Sequence, residues 1–127
     1  MRYCRVVIAD DSADIRLLLQ LAIQGDPELE LVGEASDGAE AVSLAQALQP
    51  DLMLLDLSMP VMDGLEAIPL IRGVAPGTAI IVISGFLTDE TKKRVLDAGA
   101  VGFVEKGGDF RELITYVNKV RAEQFGT

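Results

Sequence analysis

The feature that most constrains the fold is a regular alternation between two kinds of segment. Continuous apolar runs occupy residues 6–9, 52–55 and 79–83, each followed at once by polar residues, and weaker runs lie at 29–35 and 101–105. Between them, apolar residues recur at the i, i+3, i+4, i+7 spacing of helices: Ile15, Leu18, Leu19 and Ala22; Ala41, Leu44, Ala45 and Leu48; Phe110, Leu113, Ile114 and Val117. The alternation predicts an α/β domain in which five strands and five helices form a parallel sheet covered on both faces.

The composition of the strands also predicts their order. Strands buried on both faces are continuously apolar, whereas edge strands tolerate polar residues. Strands one, three and four are continuous, but strand two carries Glu30 and Glu34, and strand five carries Gly102 and Glu105. Strands two and five are therefore the expected edges. This gives a single doubly wound, five-stranded sheet of order 2-1-3-4-5, the flavodoxin-like arrangement.

Helix boundaries are marked by capping residues and glycines. The predicted N-caps are Ser12, Asp37, Asp63 and Asp109, the three aspartates each followed three residues later by glutamate. The predicted stops are Gly25, Gly73 and Gly99, and the last helix should run to about Phe125. Pro69 lies inside the third helix and predicts a kink or a late start there.

Polar residues with complementary chemistry end four of the five predicted strands. Strand one ends in Asp10 and Asp11, strand three in Asp56, strand four in Ser84 and strand five in Lys106. In an open parallel sheet the ligand crevice lies beyond the carboxyl ends of the strands, so these side chains should converge there. Each residue alone has an ordinary structural explanation as a cap, a turn residue or a surface charge, and their joint placement is what indicates a site.

This set of side chains favours magnesium and phosphate chemistry. Three crowded carboxylates repel one another, and a hard divalent cation such as Mg²⁺ relieves that repulsion. Zinc would favour histidine or cysteine, but the chain has no histidine, and its single cysteine, Cys4, is far from these positions. A carboxylate can attack phosphorus and form an aspartyl phosphate, whose charge a metal, a lysine and a hydroxyl would then stabilise.

Composition excludes several other classes of protein. The 127 residues suit one domain spanning 1–127, and a net charge of −9 offers no surface for nucleic acid on this domain alone. No segment approaches the roughly 18 apolar residues of a membrane-spanning helix, and the apolar start is too short for a secretory signal. A single cysteine fits a reducing compartment, so a cytoplasmic, membrane-free location is expected.

The chain resembles a response-regulator receiver domain of two-component signalling over essentially its whole length. The residues that carry the resemblance are Val7-Ile8-Ala9-Asp10-Asp11, Leu54-Leu55-Asp56-Leu57-Ser58-Met59-Pro60-Val61-Met62-Asp63-Gly64, Ile83-Ser84-Gly85 and Gly99-Ala100-Val101-Gly102-Phe103-Val104-Glu105-Lys106. The central piece, an aspartate followed by Met-Pro and Asp-Gly, is highly specific. One departure is that Gly107-Gly108 follows the lysine, where the family commonly has a cis proline; without proline a cis bond is not expected.

The resemblance implies a role for each site residue. Asp56 is the expected phospho-acceptor, Asp11 a direct Mg²⁺ ligand and Asp10 one that acts mostly through water. The backbone carbonyl of Ser58 is expected to complete the metal contacts. Ser84 and Lys106 are expected to bond the phosphoryl oxygens.

Phe103 is expected to turn inward as Ser84 moves, which makes these two residues the switch. The resemblance thus implies a signalling phospho-acceptor that catalyses only its own phosphorylation and dephosphorylation, rather than a metabolic enzyme. The expected partner is a sensor histidine kinase or a histidine phosphotransfer protein, with a homodimer on phosphorylation as a further expectation. It would be a single-domain regulator or the N-terminal part of a transcriptional regulator.

Two other classes remain open from the sequence. A Mg²⁺-dependent phosphohydrolase also uses an aspartyl phosphate, but usually has a second aspartate two residues after the first, where this chain has Ser58. A flavin-binding electron carrier can share the sheet order, but two acids stand after strand one in place of a phosphate loop rich in serine and threonine.

Overall fold

The fold is a five-stranded parallel sheet with helices on both faces. The computed structural model describes residues 3–126. The strands are β1 (Cys4–Ala9), β2 (Leu29–Ala35), β3 (Leu52–Asp56), β4 (Ala79–Ser84) and β5 (Gly102–Glu105). All strand pairs are parallel, and the order across the sheet is β2-β1-β3-β4-β5. This confirms the predicted fold class, including the two edge strands.

Five helices cover the two faces and form a hydrophobic core on each. They are α1 (Ala13–Gln24), α2 (Gly38–Leu48), α3 (Gly64–Val74), α4 (Asp89–Ala98) and α5 (Phe110–Phe125). One core lies under α2, α3 and α4, and the other lies under α1 and α5. Successive strand residues alternate between them, so that Met53 and Leu55 face the first core while Leu52 and Leu54 face the second. None of the helices in residues 3–126 is both long and apolar enough to span a bilayer.

The predicted N-caps begin their helices. The side chains of Ser12, Asp37 and Asp63 each accept a hydrogen bond from the backbone N–H three residues later. Asp109 also caps its helix, but its carboxylate accepts from the N–H of Arg111, two residues on. The remaining helix, α4, is capped by Thr88, which accepts from the N–H of Thr91 at 3.1 Å.

Helix α3 begins at its predicted N-cap but extends past its predicted end. It begins directly after Asp63 rather than late, with Pro69 inside it. Pro69 is exposed, and burial of Ala67, Ile68 and Ile71 against the sheet offsets the roughly 3 kcal/mol that an internal proline costs. The helix also runs past Gly73 to Val74. The next residue, Ala75, precedes Pro76 and leaves the helical conformation, as the ring of a following proline demands.

Helix α1 is rotated slightly from the orientation its spacing predicts. Leu19 is buried as expected, together with Ile23, but Leu18 is 45% exposed. Leu17 and Leu21 are exposed as well, so α1 presents leucines to solvent beside its core face. The i, i+3, i+4 rule gave the correct period but not the rotation of the helix about its axis, because packing against β1, β2 and α5 sets that rotation.

Candidate functional site

Three carboxylates meet at the carboxyl ends of β1 and β3. These strands pair in register from Val6 beside Leu52 to Ala9 beside Leu55, so the next residue of each strand, Asp10 and Asp56, extends the same alignment. Carboxylate oxygens of Asp10, Asp11 and Asp56 lie within 4.8 Å of one another. Asp10 and Asp56 are buried, at 2% and 4% exposure, while Asp11 is exposed. The predicted acidic cluster is therefore present.

Asp10 uses both carboxylate oxygens within the protein. Its Oδ1 accepts a hydrogen bond from the N–H of Ser12 at 2.9 Å, and its Oδ2 lies 2.7 Å from Nζ of Lys106. Asp11 makes the open side of the cluster because its side chain faces solvent. This division is compatible with Asp11 as the direct ligand of a cation and Asp10 as an indirect one.

Lys106 reaches across the crevice from the end of β5. Its Nζ lies 2.7 Å from Asp10 Oδ2 and 3.2 Å from Asp56 Oδ1. Burial alone would lower the pKa of Lys106, but its hydrogen bond to Asp10 and the charges of both carboxylates outweigh this and raise the pKa above its ordinary value. The ammonium group therefore stays charged beside the acids. No peptide bond within residues 3–126 is cis, so the Lys106-Gly107 bond is trans.

The surroundings of Asp56 disfavour the charged form of its carboxylate. Its pKa is raised first by burial and second by the negative charge of Asp10. The charge and hydrogen bond of Lys106, and a hydrogen bond from the backbone of Ser58, oppose this rise only in part. A buried carboxylate whose charge is only partly compensated gains from binding a cation or from losing its charge in an acyl bond.

Ser84 ends β4 next to the acidic cluster. It is buried, and its hydroxyl donates to the backbone carbonyl of Phe86 at 3.3 Å. Its own carbonyl accepts from the N–H of Lys106 at 2.7 Å, which fixes the start of the loop that carries the lysine. The predicted hydroxyl is therefore at its strand end, and in this conformation it bonds to the β4–α4 loop. Phe86 itself is 76% exposed.

Phe103 lies on β5, half-buried between α4 and α5. Nζ of Lys92 on α4 is 5.5 Å from the centroid of the ring, within the range of a cation–π contact. On the other side, the hydroxyl of Tyr116 on α5 packs against Gly102, where it leaves no room for a Cβ atom. The ring of the predicted switch residue thus contacts α4, and its backbone hydrogen-bonds to Tyr116 on α5. No sequence pattern indicated Lys92, which belongs to an ordinary charged run of α4.

Arg16 was not indicated by any sequence motif, yet it bonds to the backbone of Asp10 in the acidic cluster. Its Nη1 donates to the backbone carbonyl of Asp10 at 2.6 Å, and its Nε lies 3.5 Å from Glu34 Oε1. The available signal was its position on the first turns of the helix that follows Asp10-Asp11, where a long basic side chain can reach back.

The acidic cluster suits a hard divalent cation. Its donors are carboxylate oxygens, the ligands that Mg²⁺ prefers, and one of them is open to solvent. The charge of the buried Asp56 carboxylate is only partly compensated within the protein, so a bound cation would stabilise it. The residues present therefore fit Mg²⁺, with Lys106 as the fixed positive charge on the opposite side.

Comparisons with known proteins agree with this architecture. The family model described as the response regulator receiver domain matches residues 6–118. A protein-glutamate methylesterase/protein-glutamine glutaminase of Geobacter sulfurreducens is 44% identical over 106 residues, covering 84% of this chain and 28% of that protein. The transcriptional regulatory protein LiaR of Bacillus subtilis is 38% identical over 109 residues, covering 86% of this chain and 52% of that protein.

A solved structure has the same fold along nearly its whole length. The response regulator domain of Thermotoga maritima CheB superposes with a TM-score of 0.88 at 32% identity, covering 99% of this chain and 98% of that one. By contrast, the chain spans only about a quarter to a half of the two longer relatives.

Proposed function

The chain belongs to the response-regulator receiver family, and we propose that Asp56 is the residue that accepts its phosphoryl group. The observation that carries the proposal is the position of Asp56: buried, next to two further carboxylates, and 3.2 Å from the Lys106 ammonium. A receiver domain needs one carboxylate that the phosphorus atom of the donor can approach. The surrounding groups must also stabilise the aspartyl phosphate that forms. Asp10 is committed to Ser12 and Lys106, and Asp11 lies at the exposed side, which leaves Asp56 at the centre.

The proposed step transfers a phosphoryl group from a phosphohistidine of a sensor kinase or phosphotransfer protein. A carboxylate oxygen of Asp56 forms a bond to phosphorus, and the bond between phosphorus and the imidazole nitrogen breaks. The electron pair of that bond stays on the imidazole, which then takes up a proton. Hydrolysis later returns the aspartate and releases inorganic phosphate. Lys106 stays charged throughout and balances the phosphoryl oxygens.

Mg²⁺ is the proposed cofactor, held by Asp11 and Asp56 with the backbone carbonyl of Ser58, and by Asp10 through water. When bound, it supplies the positive charge that lets an anionic donor approach three carboxylates. The protein residues set the rest of the geometry, since Lys106 fixes Asp10 and Asp56 relative to each other.

The proposed output is a change of surface around β5. Ser84 would exchange its bond to the Phe86 carbonyl for one to a phosphoryl oxygen, and Phe103 would turn inward into the space beside it. Because Phe103 contacts α4 and its strand contacts α5, this movement would alter the surface formed by α4, β5 and α5.

The setting of the domain is also proposed rather than established. The domain spans 1–127, acts in the cytoplasm, and acts chemically only on itself. Relatives that carry further sequence include a methylesterase and a transcriptional regulator, so the receiver either controls an output of that kind or acts as a single-domain regulator. Dimerisation on phosphorylation is a further proposal of the same kind.

Intact-mass spectrometry tests the acceptor. With acetyl phosphate and Mg²⁺, the protein should gain one phosphoryl group, and Asp56→Asn should abolish the gain, as should removal of Mg²⁺ by a chelator. The matched control is Asp97→Asn, which changes an exposed aspartate on α4 and should label like the wild type. Undiminished labelling of Asp56→Asn would refute the assignment.

A further inference from the structure

Arg16 ties the acidic cluster to the edge of the sheet. The guanidinium donates through Nη1 to the backbone carbonyl of Asp10 at 2.6 Å. Its Nε faces the carboxylate of Glu34 on β2 at 3.5 Å. Both side chains are only partly exposed, at 22% and 35%, so solvent weakens the contact less than at an open surface. One planar group thus joins the first turns of α1, the end of β1 and the edge strand.

The carbonyl of Asp10 belongs to the peptide that carries Asp11. The remaining polar groups of Asp10 are held elsewhere: its N–H donates to the carbonyl of Ala35 at 3.0 Å, and its carboxylate bonds to Ser12 and Lys106. The Asp10–Asp11 peptide is planar, so the direction of its carbonyl fixes the direction in which the Asp11 Cα leaves the strand. Arg16 holds that carbonyl.

We propose that Arg16 is a positioning residue for the divalent cation, acting through the peptide plane between Asp10 and Asp11. It aims the exposed carboxylate of Asp11 at the oxygens of Asp10 and Asp56, although it touches neither the cation nor a carboxylate of the cluster. The inference rests on the proposed function, since it assigns a role in the Mg²⁺ site described above.

Glu34 keeps the guanidinium in this role. An arginine beside three carboxylates would otherwise be drawn to them and would compete with a cation for their charge. The carboxylate of Glu34 instead faces Nε of Arg16 and balances the charge of the guanidinium group at the edge of the sheet. Glu34, a polar residue of edge strand β2, thus contributes to a site that lies beyond the end of the neighbouring strand β1.

The test is the Mg²⁺ dissociation constant of the full chain, measured by titration calorimetry in wild type and variants. Arg16→Met should weaken binding about 10- to 100-fold, the usual effect of losing a group that orients a metal ligand. Arg16→Lys keeps a basic side chain that can reach the Asp10 carbonyl, but it lacks the planar guanidinium group. Its Mg²⁺ dissociation constant should lie between those of wild type and Arg16→Met. Glu34→Gln, which keeps the arginine and removes its ionic partner, should weaken binding less than Arg16→Met.

Arg121→Met is the matched control. Arg121 on α5 pairs with Glu28, which precedes β2 and so lies at the opposite end of the sheet from the cluster. Its loss should lower the melting temperature and leave the Mg²⁺ dissociation constant unchanged. Equal weakening by Arg121→Met and Arg16→Met would mean that general destabilisation explains both, and would overturn the proposal.

Two further results separate the inference from the function on which it rests. If wild type binds Mg²⁺ and a folded Arg16→Met protein binds within twofold of it, Arg16 has no positioning role. If Arg16→Met does not fold, unchanged constants for Arg16→Lys and Glu34→Gln overturn the inference in the same way. Failure of the wild-type protein to bind Mg²⁺ would instead refute the proposed metal site itself.

Discussion

The charge on Asp56 links stability to function at the scale of a single residue. Its carboxylate is buried beside Asp10, and the resulting rise in its pKa means that the folded protein binds this proton more tightly than the unfolded chain does. Stability therefore falls as the pH rises from the ordinary aspartate pKa, about 3.9, through the raised value. Above this range and without metal, Asp56 therefore lowers the stability of the fold.

Asp56→Asn should accordingly raise the melting temperature in a chelating buffer at pH 7. The gain should shrink as the pH falls towards about 4, where the aspartate becomes protonated in both states. Lys106 keeps Asp10 as a partner in the variant, so its charge is not stranded. The measurement is a series of thermal melts across this pH range, with Asp97→Asn as the exposed control. A variant that melts below wild type at pH 7 would show that the pair with Lys106 outweighs the burial of Asp56.

The sequence predicted which residues meet in the site but not how they are oriented. Asp10, Asp56 and Lys106 were predictable because strand ends in a parallel sheet converge, whatever the details of packing. The bond of Ser84 to the Phe86 carbonyl and the reach of Arg16 to Asp10 were not, because each depends on side-chain torsions that tertiary contacts decide. The roles that the family resemblance assigns to these residues remain predictions.

At the scale of elements, the start of α3 packs against the carboxyl end of β3. Gly64, the first residue of the helix, donates its N–H to the Leu57 carbonyl at 2.8 Å. A Cβ at this position would lie 2.3 Å from the carbonyl oxygen of Asp56 and 2.8 Å from the Leu57 Cα. These are backbone atoms and cannot rotate away, so a side chain here must displace either the helix or Asp56.

Gly64→Ala should therefore lower the free energy of unfolding by about 1–3 kcal/mol, the usual range for overpacking. The control lies in the same helix: Gly73 has open space around its Cβ position, so Gly73→Ala should raise stability by up to about 1 kcal/mol through helix propensity. Urea unfolding of both variants decides this. A Gly64→Ala protein as stable as wild type would contradict the close approach of α3 to Asp56.

The boundaries of α3 also show where local signals are overridden. Gly73 is a good stop signal and Pro69 a good breaker, yet the helix includes both. Burial of Ile68 and Ile71 holds the helix through these residues, and Pro76 ends it. By contrast, Ser12 and Asp37 capped their helices as predicted because a cap is a local hydrogen bond.

At the scale of the whole molecule, the sheet order was predictable from the sequence because burial on both faces leaves a direct mark on composition. The fully buried β3 and β4 are continuously apolar up to their last residues, Asp56 and Ser84, and β2 carries its charges at an edge. The exposed leucines of α1 were not predictable, since they depend on how α1 is rotated about its axis against the sheet and α5. The fold thus brings the acidic cluster and Lys106 together at the carboxyl end of the sheet.

The central claim is that Asp56 forms the acyl phosphate, and chemical trapping tests it most directly. Protein treated with acetyl phosphate and Mg²⁺ is reduced with borohydride, which converts an aspartyl phosphate to homoserine, and its peptides are then sequenced by mass spectrometry. We expect homoserine at position 56 alone. Homoserine at position 10 or 11, or an unmodified Asp56 in protein that has gained a phosphoryl group, would contradict the account.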